Sequence, residues 1–518
     1  MDTLLVTTAI PFVNGAPHLG HALEYVQADV LARHARARGR SVFLLTGTDE
    51  HAAKNVRSAA AARRPVGEFV AVNAARFRRL ADALQVSYDD FIRTSADPRH
   101  RPVVEALWRQ VERSGDLYRS RYEGGYCPGC EEFRETPCAE HDTPLERVGE
   151  ENWFFRLARY VPVIRDSIVD GRLRIEPSER RNEILGFLAG EVRDLSVSRP
   201  RARVGDWGIP VPGDPGQLVY VWFDALANYI SAPGFDRWSA ARTRRHVIGK
   251  GILRFHAVIW PAILLSAGVA LPDEIFVHDY VTTGGRKIGK SLDNAVDPGA
   301  LIERYGVDAL RWWLAREVAR VGETDFSEDR LIAAANRDLA HGVGNLVQRV
   351  VALAARDGGR EELRGAPPAD DEGPLLGACS RCSTEVARAL ELLDLRRATE
   401  AILGLVGETN QYIERTKPWT LDVVDARPTV AALVHAATYV VEELGPFVPD
   451  LAFRARTRLA GLEPGEPLVA RLEAVDAARS SSGRRERALG QPPGDDPQTE
   501  GLVGALEDRE DASVDEEA

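Results

Sequence analysis

The sequence predicts an α/β protein in which a parallel-sheet domain, interrupted by an insertion, is followed by an α-helical bundle. Apolar runs typical of buried strands alternate with helical patterns over the first 280 or so residues. A polar segment with three closely spaced cysteines divides these runs. From about residue 330 onward, apolar residues recur every three or four positions, which is the period of an amphipathic helix.

The first strand, helix and second strand predict a parallel unit. Residues 3–10 are apolar enough for a buried strand, and the apolar residues from Leu19 to Val30 then recur at helical spacing. The run 42–45 precedes Asp49, which we expect at the carboxyl end of the second strand. Because ligands of parallel sheets bind at the carboxyl ends of the strands, the sequence predicts a site there.

These patterns divide the chain into six predicted segments. In order, they are the first half of the parallel domain, the insertion, the second half of that domain, a connecting region, the helical domain and an acidic tail: 1–115, 116–200, 201–278, 279–330, 331–475 and 476–518. The tail is rich in Ser, Gly, Pro and acid, and it lacks the apolar content to fold.

Composition restricts the class of protein. No uninterrupted apolar run is long enough to span a bilayer, so we expect a cytoplasmic protein with no membrane partner. Five cysteines in 518 residues argue against a disulfide framework. Of the net charge of −12, residues 491–518 contribute ten acidic side chains and one arginine. The remainder is close to neutral, which is compatible with local basic patches for RNA.

Two distant motifs predict a polyphosphate site. The first, Pro17-His18-Leu19-Gly20-His21, lies where the first strand turns into a helix, whose first-turn amides and dipole favour anions while imidazoles donate hydrogen bonds. The second, Lys287-Ile288-Gly289-Lys290-Ser291, supplies two cations. This combination suits nucleotidyl transfer, because charge builds on phosphate oxygens in the transition state. A lone histidine is more commonly a cap or core residue, but this spacing favours phosphate binding.

The two motifs resemble the HIGH and KMSKS motifs of class I aminoacyl-tRNA synthetases. Further segments, in order, resemble the methionyl-tRNA synthetase family over about residues 1–465: Ala9–Gly15, Thr46–His51, Val219–Ala225, Phe276–His278 and Lys417–Trp419. The resemblance implies a Rossmann-type domain with a zinc-containing insertion and an anticodon-binding helical bundle. It also implies ATP-dependent ligation of L-methionine to tRNA(Met) through a methionyl-adenylate, with Mg²⁺ accompanying ATP, in a monomeric enzyme.

The resemblance assigns site residues one by one. It assigns catalysis to His18, His21, Lys287 and Lys290, and ATP binding to these four together with Gly20 and Ser291. It assigns the methionine pocket to Ile10, Asp49, Trp222, Ala225, Leu226, Tyr229 and His278, with Asp49 holding the substrate ammonium. An unbranched thioether requires an apolar slot with polarisable walls, and the amino group requires a buried anion. Ordinary core packing is the alternative for Trp222 and Tyr229.

A cysteine cluster in the insertion predicts one structural Zn²⁺. Cys127, Cys130, Cys138 and His141 form two close pairs of ligands suited to tetrahedral zinc. A reduced cluster without metal is the alternative. Cys379 and Cys382 have no second pair nearby, so packing is the preferred interpretation for them.

Three residues of the helical region resemble anticodon readers of the family. Asn345 and Arg349 are four apart, on one helical face, and Trp419 follows Lys417-Pro418. An aromatic plane beside Asn and Arg suits recognition of single-stranded RNA by stacking and base-edge hydrogen bonds. Trp419 considered alone is more commonly a core residue.

Four positions depart from the family pattern. Gly251 stands where Asp is usual, and Ala52, Asp279 and Asp293 stand where Gly is usual. The changes remove one carboxylate and add two near the expected polyphosphate. Two alternatives therefore stay open: a paralogue that forms an aminoacyl-adenylate for a non-tRNA small-molecule acceptor, and a catalytically impaired RNA-binding paralogue. The retained anticodon residues disfavour the first, and the retained histidines and lysines disfavour the second.

Overall fold

A six-stranded parallel sheet occupies the centre of the first half of the chain, as the apolar runs predict. The structure is a computed structural model that describes residues 3–127, 132–136, 144–288, 296–356 and 373–473. Residues up to Leu472 group into one unit. The predicted acidic tail, 476–518, lies outside the described residues.

The strands, in chain order, are β1 Thr3–Thr8, β2 Ser41–Thr48, β3 Asp90–Arg93, β4 Leu117–Cys127, β5 Glu132–Arg134, β6 Glu146–Phe155, β7 Arg174–Glu176, β8 Leu195–Ser196, β9 Ser198–Pro200, β10 Pro210–Val211, β11 Asp214–Val219, β12 Thr243–Gly249, β13 Glu274–His278, β14 Val281–Thr283, β15 Arg286–Lys287 and β16 Thr324–Phe326.

The helices are α1 Leu19–Ala37, α2 Ala53–Ala61, α3 Val66–Ala83, α4 His100–Arg113, α5 Val161–Val169, α6 Ser178–Ala189, α7 Arg201–Val204, α8 Val221–Leu226, α9 Asn228–Ser231, α10 Phe235–Ala240, α11 Trp260–Ala267, α12 Pro298–Tyr305, α13 Val307–Arg316, α14 Glu328–Ala334, α15 Asn345–Arg356, α16 Gly373–Glu391, α17 Leu395–Thr416, α18 Val423–Leu444 and α19 Pro449–Gly461.

The main sheet has the order β3-β2-β1-β12-β13-β7, and its neighbouring strands pair in parallel. The central strand β1 is buried over five of its six residues. Four strands end next to functional segments, because the loop to His18 follows β1, Asp49 follows β2, and Gly249 and His278 end β12 and β13. The carboxyl edge of the sheet therefore gathers the predicted site, as parallel topology requires.

The predicted insertion, 116–200, does not form one separate block. Four of its strands build an antiparallel sheet of order β5-β4-β6-β8. Between β6 and β8 the chain returns to the main sheet, where β7 pairs with β13 at the edge through Ile175 opposite Ile275. A three-residue strand is too short to produce a period in the sequence, so this return was not predicted.

The helical region packs directly against the parallel domain. One apolar cluster extends from β1 and α1 into α13, α15, α17 and α18. Within it the fully buried Arg311 forms an ion pair with Asp29 of α1, with Nη2 2.7 Å from Oδ2, and also donates to the carbonyl of Phe447. The core is thus continuous from the sheet to the bundle. Among the described residues, no helix combines the length and apolarity needed to cross a bilayer.

Candidate active site

A pocket of about 250 Å³ opens at the carboxyl edge of the parallel sheet. Of the sequence-predicted residues, it brings together Ile10, His18, Gly20, His21, Trp222 and His278. The other lining residues are Ala9, Pro11, Phe12, Glu24, Tyr25, Gly249, Gly251, Ile252 and Tyr280. Residues from four separate parts of the sequence, near 9–25, 222, 249–252 and 278–280, therefore meet at one cavity.

Both histidines of the first motif cap helix α1. His18 is the N-cap residue, and its Nδ1 accepts from the backbone N–H of Gly20 at 3.1 Å. The Nδ1 of His21 accepts in turn from the backbone N–H of His18 at 3.0 Å. Because each Nδ1 is an acceptor, the proton of each neutral ring is on Nε2. The helix amino end, with its dipole and two imidazole donors, forms part of the pocket wall.

Aromatic rings form the apolar wall of the pocket. Trp222 stacks on Phe255, with centroids 3.7 Å apart and planes 10° apart, and meets Phe12 edge-on at 6.0 Å. The indole N–H of Trp222 is buried and has no hydrogen-bond partner among the described residues. Polarisable rings in this arrangement favour a thioether or a flat apolar group.

Four predicted methionine-site residues lie beside or behind the pocket and do not line it. Asp49 is 1% exposed and its Oδ1 accepts from the backbone N–H of His51 at 3.2 Å. The Tyr229 hydroxyl lies 2.7 Å from Nε2 of His256. Ala225 and Leu226 are buried on the helix that carries Trp222. These side chains support the aromatic wall.

A buried chain of hydrogen bonds links this support to the rest of the fold. Asp224 Oδ2 lies 2.7 Å from His51 Nδ1, and its Oδ1 lies 2.6 Å from His100 Nε2. His100 Nδ1 lies 2.8 Å from the Ser231 hydroxyl. Burial raises the pKa of Asp224, but the two histidines outweigh it and hold that pKa well below its usual range. The loop after Asp49 is thereby bonded to helix α8, which carries Trp222.

Two histidines beneath the pocket are held neutral. His256 Nδ1 lies 3.0 Å from the carbonyl of Ile252, which fixes the proton on Nδ1 and leaves Nε2 to accept from Tyr229. Burial lowers the pKa of His256 to about 4. Burial, together with the proximity of His256, lowers the pKa of His246 well below its usual value. These two buried side chains are therefore uncharged at neutral pH.

The second phosphate motif is described only at its start. The backbone of Lys287 pairs with Thr282 in the hairpin of β14 and β15, and Ile288 is buried in the core. Lys290, Ser291 and the variant position Asp293 lie outside the described residues. The position of the predicted lysine pair relative to the histidines stays a prediction.

The structure places three of the variant positions. Gly251 lines the pocket. Ala52 is fully buried against Tyr220. The expectation that Asp279 adds a charge in the pocket needs correction. Its carboxylate does not line the pocket and is paired with Arg180. The added charge is paired with a cation from α6.

Sequence reasoning missed Glu24, the carboxylate among the lining residues. Its Oε1 accepts from the backbone N–H of Ala9 at 2.8 Å, and its Oε2 lies 3.2 Å from Nε2 of His278. It therefore joins two walls of the pocket. Its position three residues after His21 on the same helix puts both on one face, and that spacing is the signal by which it could have been found.

The predicted zinc site falls mostly outside the described residues. Cys127 ends β4 and is buried, whereas Cys130, Cys138 and His141 are not described. Within the described part of the chain, no group of three or more metal-binding side chains occurs. Cys379 and Cys382 lie in the core, where burial raises their pKa values to about 11 and about 12, in agreement with a packing role.

The predicted anticodon residues lie on the outside of the helical region. Asn345 is exposed at the start of α15. Arg349 donates to Asn410 Oδ1 at 2.9 Å and to Glu414 Oε1 at 2.6 Å, which ties α15 to α17. Trp419 follows α17 in a short 3₁₀ turn and is 45% exposed. The core interpretation of Trp419 is therefore wrong, and its ring is accessible.

Comparisons with known proteins agree on one family. A family model described as tRNA synthetases class I (M) matches residues 4–145 and 135–351. The methionine–tRNA ligase of Brucella suis is 38% identical over 467 residues, covering 86% of this chain and 90% of that protein. The Synechocystis methionine–tRNA ligase is 38% identical over 487 residues, covering 89% and 90%.

Solved structures give the same result. Mycobacterium tuberculosis methionyl-tRNA synthetase in complex with methionyl-adenylate superposes with a TM-score of 0.82 at 34% identity, covering 92% of this chain and 99% of that one. The apo form of the same synthetase gives a TM-score of 0.77 at 32% identity, with the same coverage.

Proposed function

The chain belongs to the class I tRNA synthetases of the methionine type, and from that premise we propose how its residues carry out the reaction. The protein ligates L-methionine to tRNA(Met) with ATP through a methionyl-adenylate. The methionine carboxylate attacks the α-phosphate of ATP and pyrophosphate leaves. A ribose hydroxyl at the end of the tRNA then takes the acyl group, and AMP leaves.

One observation supports this assignment of roles above the others. A single pocket joins an aromatic slot to the amino end of a helix, so a thioether side chain and a polyphosphate fit side by side. The carboxylate of the amino acid then falls between them, next to the α-phosphate. Holding the two reacting groups in this way supplies much of the rate enhancement expected of such a site.

The histidine cap is proposed to act on the phosphates. Nε2 of His18 and of His21 donates to phosphate oxygens, since both Nδ1 atoms already accept backbone hydrogen bonds. The donors and the helix dipole are preorganised before ATP binds, so no reorganisation is required as charge develops. ATP enters with Mg²⁺, and Lys287, Lys290 and Ser291 are proposed to complete the site on the pyrophosphate side.

The α-ammonium group of methionine is proposed to bind near two carboxylates. Asp49 lies beside the slot, with its backbone N–H donating to Pro11 at 3.0 Å, and Glu24 lines the pocket itself. The family resemblance assigns the substrate ammonium to Asp49. Comparing Asp49→Asn with Glu24→Gln tests this, because the variant that lacks the ammonium partner will show the larger rise in the KM for methionine.

The test of the reaction itself is amino-acid-dependent ATP–pyrophosphate exchange. We expect exchange with methionine and little with other amino acids, and charging of tRNA(Met) but not of unrelated tRNAs. Exchange that is equally fast with several amino acids would contradict the methionine assignment. Exchange without charging would favour the small-acceptor alternative.

Recognition of tRNA is assigned to the outer face of the bundle. Asn345, Arg349 and Trp419 are proposed to read the anticodon, by base-edge hydrogen bonds and by stacking. Arg349 donates to Glu414 near the end of α17. Trp419 follows Glu414 by five residues, so the contact of Arg349 and the aromatic ring lie at the same end of α17. The exposure of Trp419 supports this assignment.

One structural Zn²⁺ is proposed for the insertion. The described part of the insertion is compatible with a zinc site. Cys127 is buried at the end of β4, and its backbone pairs with that of Glu132. Cys130 is one of the four residues between them in the sequence. Cys138 and His141 would complete four soft or borderline ligands. Zinc supplies no reaction step here. Metal analysis of the reduced protein should find about one zinc per chain, and Cys130→Ser should lower it.

A further inference from the structure

Asp279 is a buried charge next to the pocket that no step of the reaction requires. It follows His278 and precedes Tyr280, both of which line the pocket. The residue is 2% exposed, and its Oδ2 accepts from the backbone N–H of Gly322 at 2.6 Å. Its Oδ1 is ion-paired with Arg180. Because both oxygens are engaged, the carboxylate is held in one position.

These contacts join three separate segments of the chain. Arg180 belongs to α6, Gly322 precedes β16, and Asp279 lies between β13 and β14. Strand β14 pairs with β16 on one side and with β15 on the other, where Thr282 is opposite Lys287. Asp279 therefore lies at the base of the small sheet that carries the first lysine of the phosphate motif.

Lys250 connects this base with the opposite wall of the pocket. Its Nζ is 3.0 Å from Glu323 Oε1, 3.8 Å from Asp279 Oδ1 and 4.4 Å from the centroid of the Tyr280 ring. Lys250 directly precedes Gly251, which lines the pocket. The cluster of Arg180, Lys250, Asp279 and Glu323 thus fixes two walls by charge.

We propose that Asp279 is a positioning residue for adenylate formation. It holds Tyr280 and the base of the β14–β15 hairpin against α6; this hairpin carries Lys287 and is called the lysine hairpin below. The inference rests on the proposed function of the pocket. Asp279 touches no substrate, and it acts by setting where the lysine hairpin meets the phosphates of ATP. The methionine slot is built on Trp222 and Phe255, so methionine binding depends on this base much less than ATP binding does.

The test is a double-mutant cycle of Asp279→Asn and Arg180→Gln in steady-state pyrophosphate exchange, with ATP and methionine varied separately. Each single variant should raise the KM for ATP by about tenfold, since a displacement of about 1 Å can cost up to a hundredfold. The KM for methionine and the melting temperature should change little. Because both variants remove the same Arg180–Asp279 ion pair, the double variant should be no worse than the worse single variant. Arg180→Lys should restore part of the loss.

Glu274→Gln is the matched control. Glu274 begins the strand that His278 ends, and it is ion-paired to Arg245, with Nε 2.5 Å from Oε2. This change should leave the KM for ATP unaltered. An unchanged KM for ATP in Asp279→Asn, an equal rise for methionine, or multiplying effects in the double variant would overturn the proposal.

Two further outcomes are separable. If Asp279→Asn does not fold, Arg180→Lys and Arg180→Gln still test the proposal. Equal KM values for ATP in these two variants would show that the positive charge at position 180 has no role and would overturn the proposal. If the parental protein itself shows no methionine-dependent exchange, the proposed function fails, whereas a normal parental rate with unaffected variants refutes only the role of Asp279.

Discussion

Replacing Trp419 with alanine should separate tRNA charging from adenylate formation. The ring lies in a short turn after α17 and is 45% exposed, and the two other proposed anticodon readers, Asn345 and Arg349, lie on α15. Stacking on an aromatic side chain contributes about 1 to 3 kcal/mol per base. We therefore expect kcat/KM for tRNA charging to fall about 5- to 150-fold, and pyrophosphate exchange to be unchanged.

The exposure of the ring also sets the expected loss of stability. Truncating a fully buried tryptophan costs about 3 to 5 kcal/mol. Since about half of Trp419 is already in contact with water, the loss should be about half of this, about 1.5 to 2.5 kcal/mol. A melting temperature lowered by only a few degrees, measured on the same preparations, would agree with a recognition role.

Phe453→Ala is the control for this experiment. Phe453 is an exposed aromatic residue on α19, 67% accessible, and it belongs to none of the proposed sites. Its truncation should alter neither activity. If charging and exchange fall in parallel in Trp419→Ala, the stacking role is refuted. If neither changes, this face does not read an anticodon.

Three further predictions concern the histidines of the site. His21→Ala should slow exchange about a hundredfold, because it removes both an Nε2 donor and a cap of α1; exchange at the parental rate would contradict the phosphate assignment. Burial lowers the pKa of His51, but the charge and hydrogen bond of Asp224 outweigh burial and raise it. Asp224→Asn should therefore lower that pKa in an NMR titration, and an unchanged value would show that the pair is not formed. Burial lowers the pKa of His256 from 6.5 to about 4, so between these values the unfolded chain takes up a proton that the folded protein does not. Stability should fall as the pH falls through this window, by up to about 1.4 kcal/mol per pH unit, and His256→Gln should flatten the curve. A variant that keeps the parental slope would refute the assignment.

Local patterns were sufficient for the main elements of the fold. The apolar runs at 3–10 and 42–45 correspond to β1 and β2, and the helical period after Leu19 corresponds to α1. The histidine motif lies at the turn between them, as predicted, because its spacing and the helix start are properties of consecutive residues. Parallel topology then places it at the edge where Asp49 and His278 arrive.

Only the tertiary structure decided which side chains face the pocket and which cation pairs with Asp279. Neither Asp49 nor Tyr229 lines the cavity, whereas Glu24 does. Asp279 is neutralised by Arg180, a residue 99 positions earlier in the chain. The burial and pairing of these groups depend on contacts between segments far apart in sequence. A period or a motif records only the direction of a side chain within its own element, so it carries no information on the partner that the fold supplies.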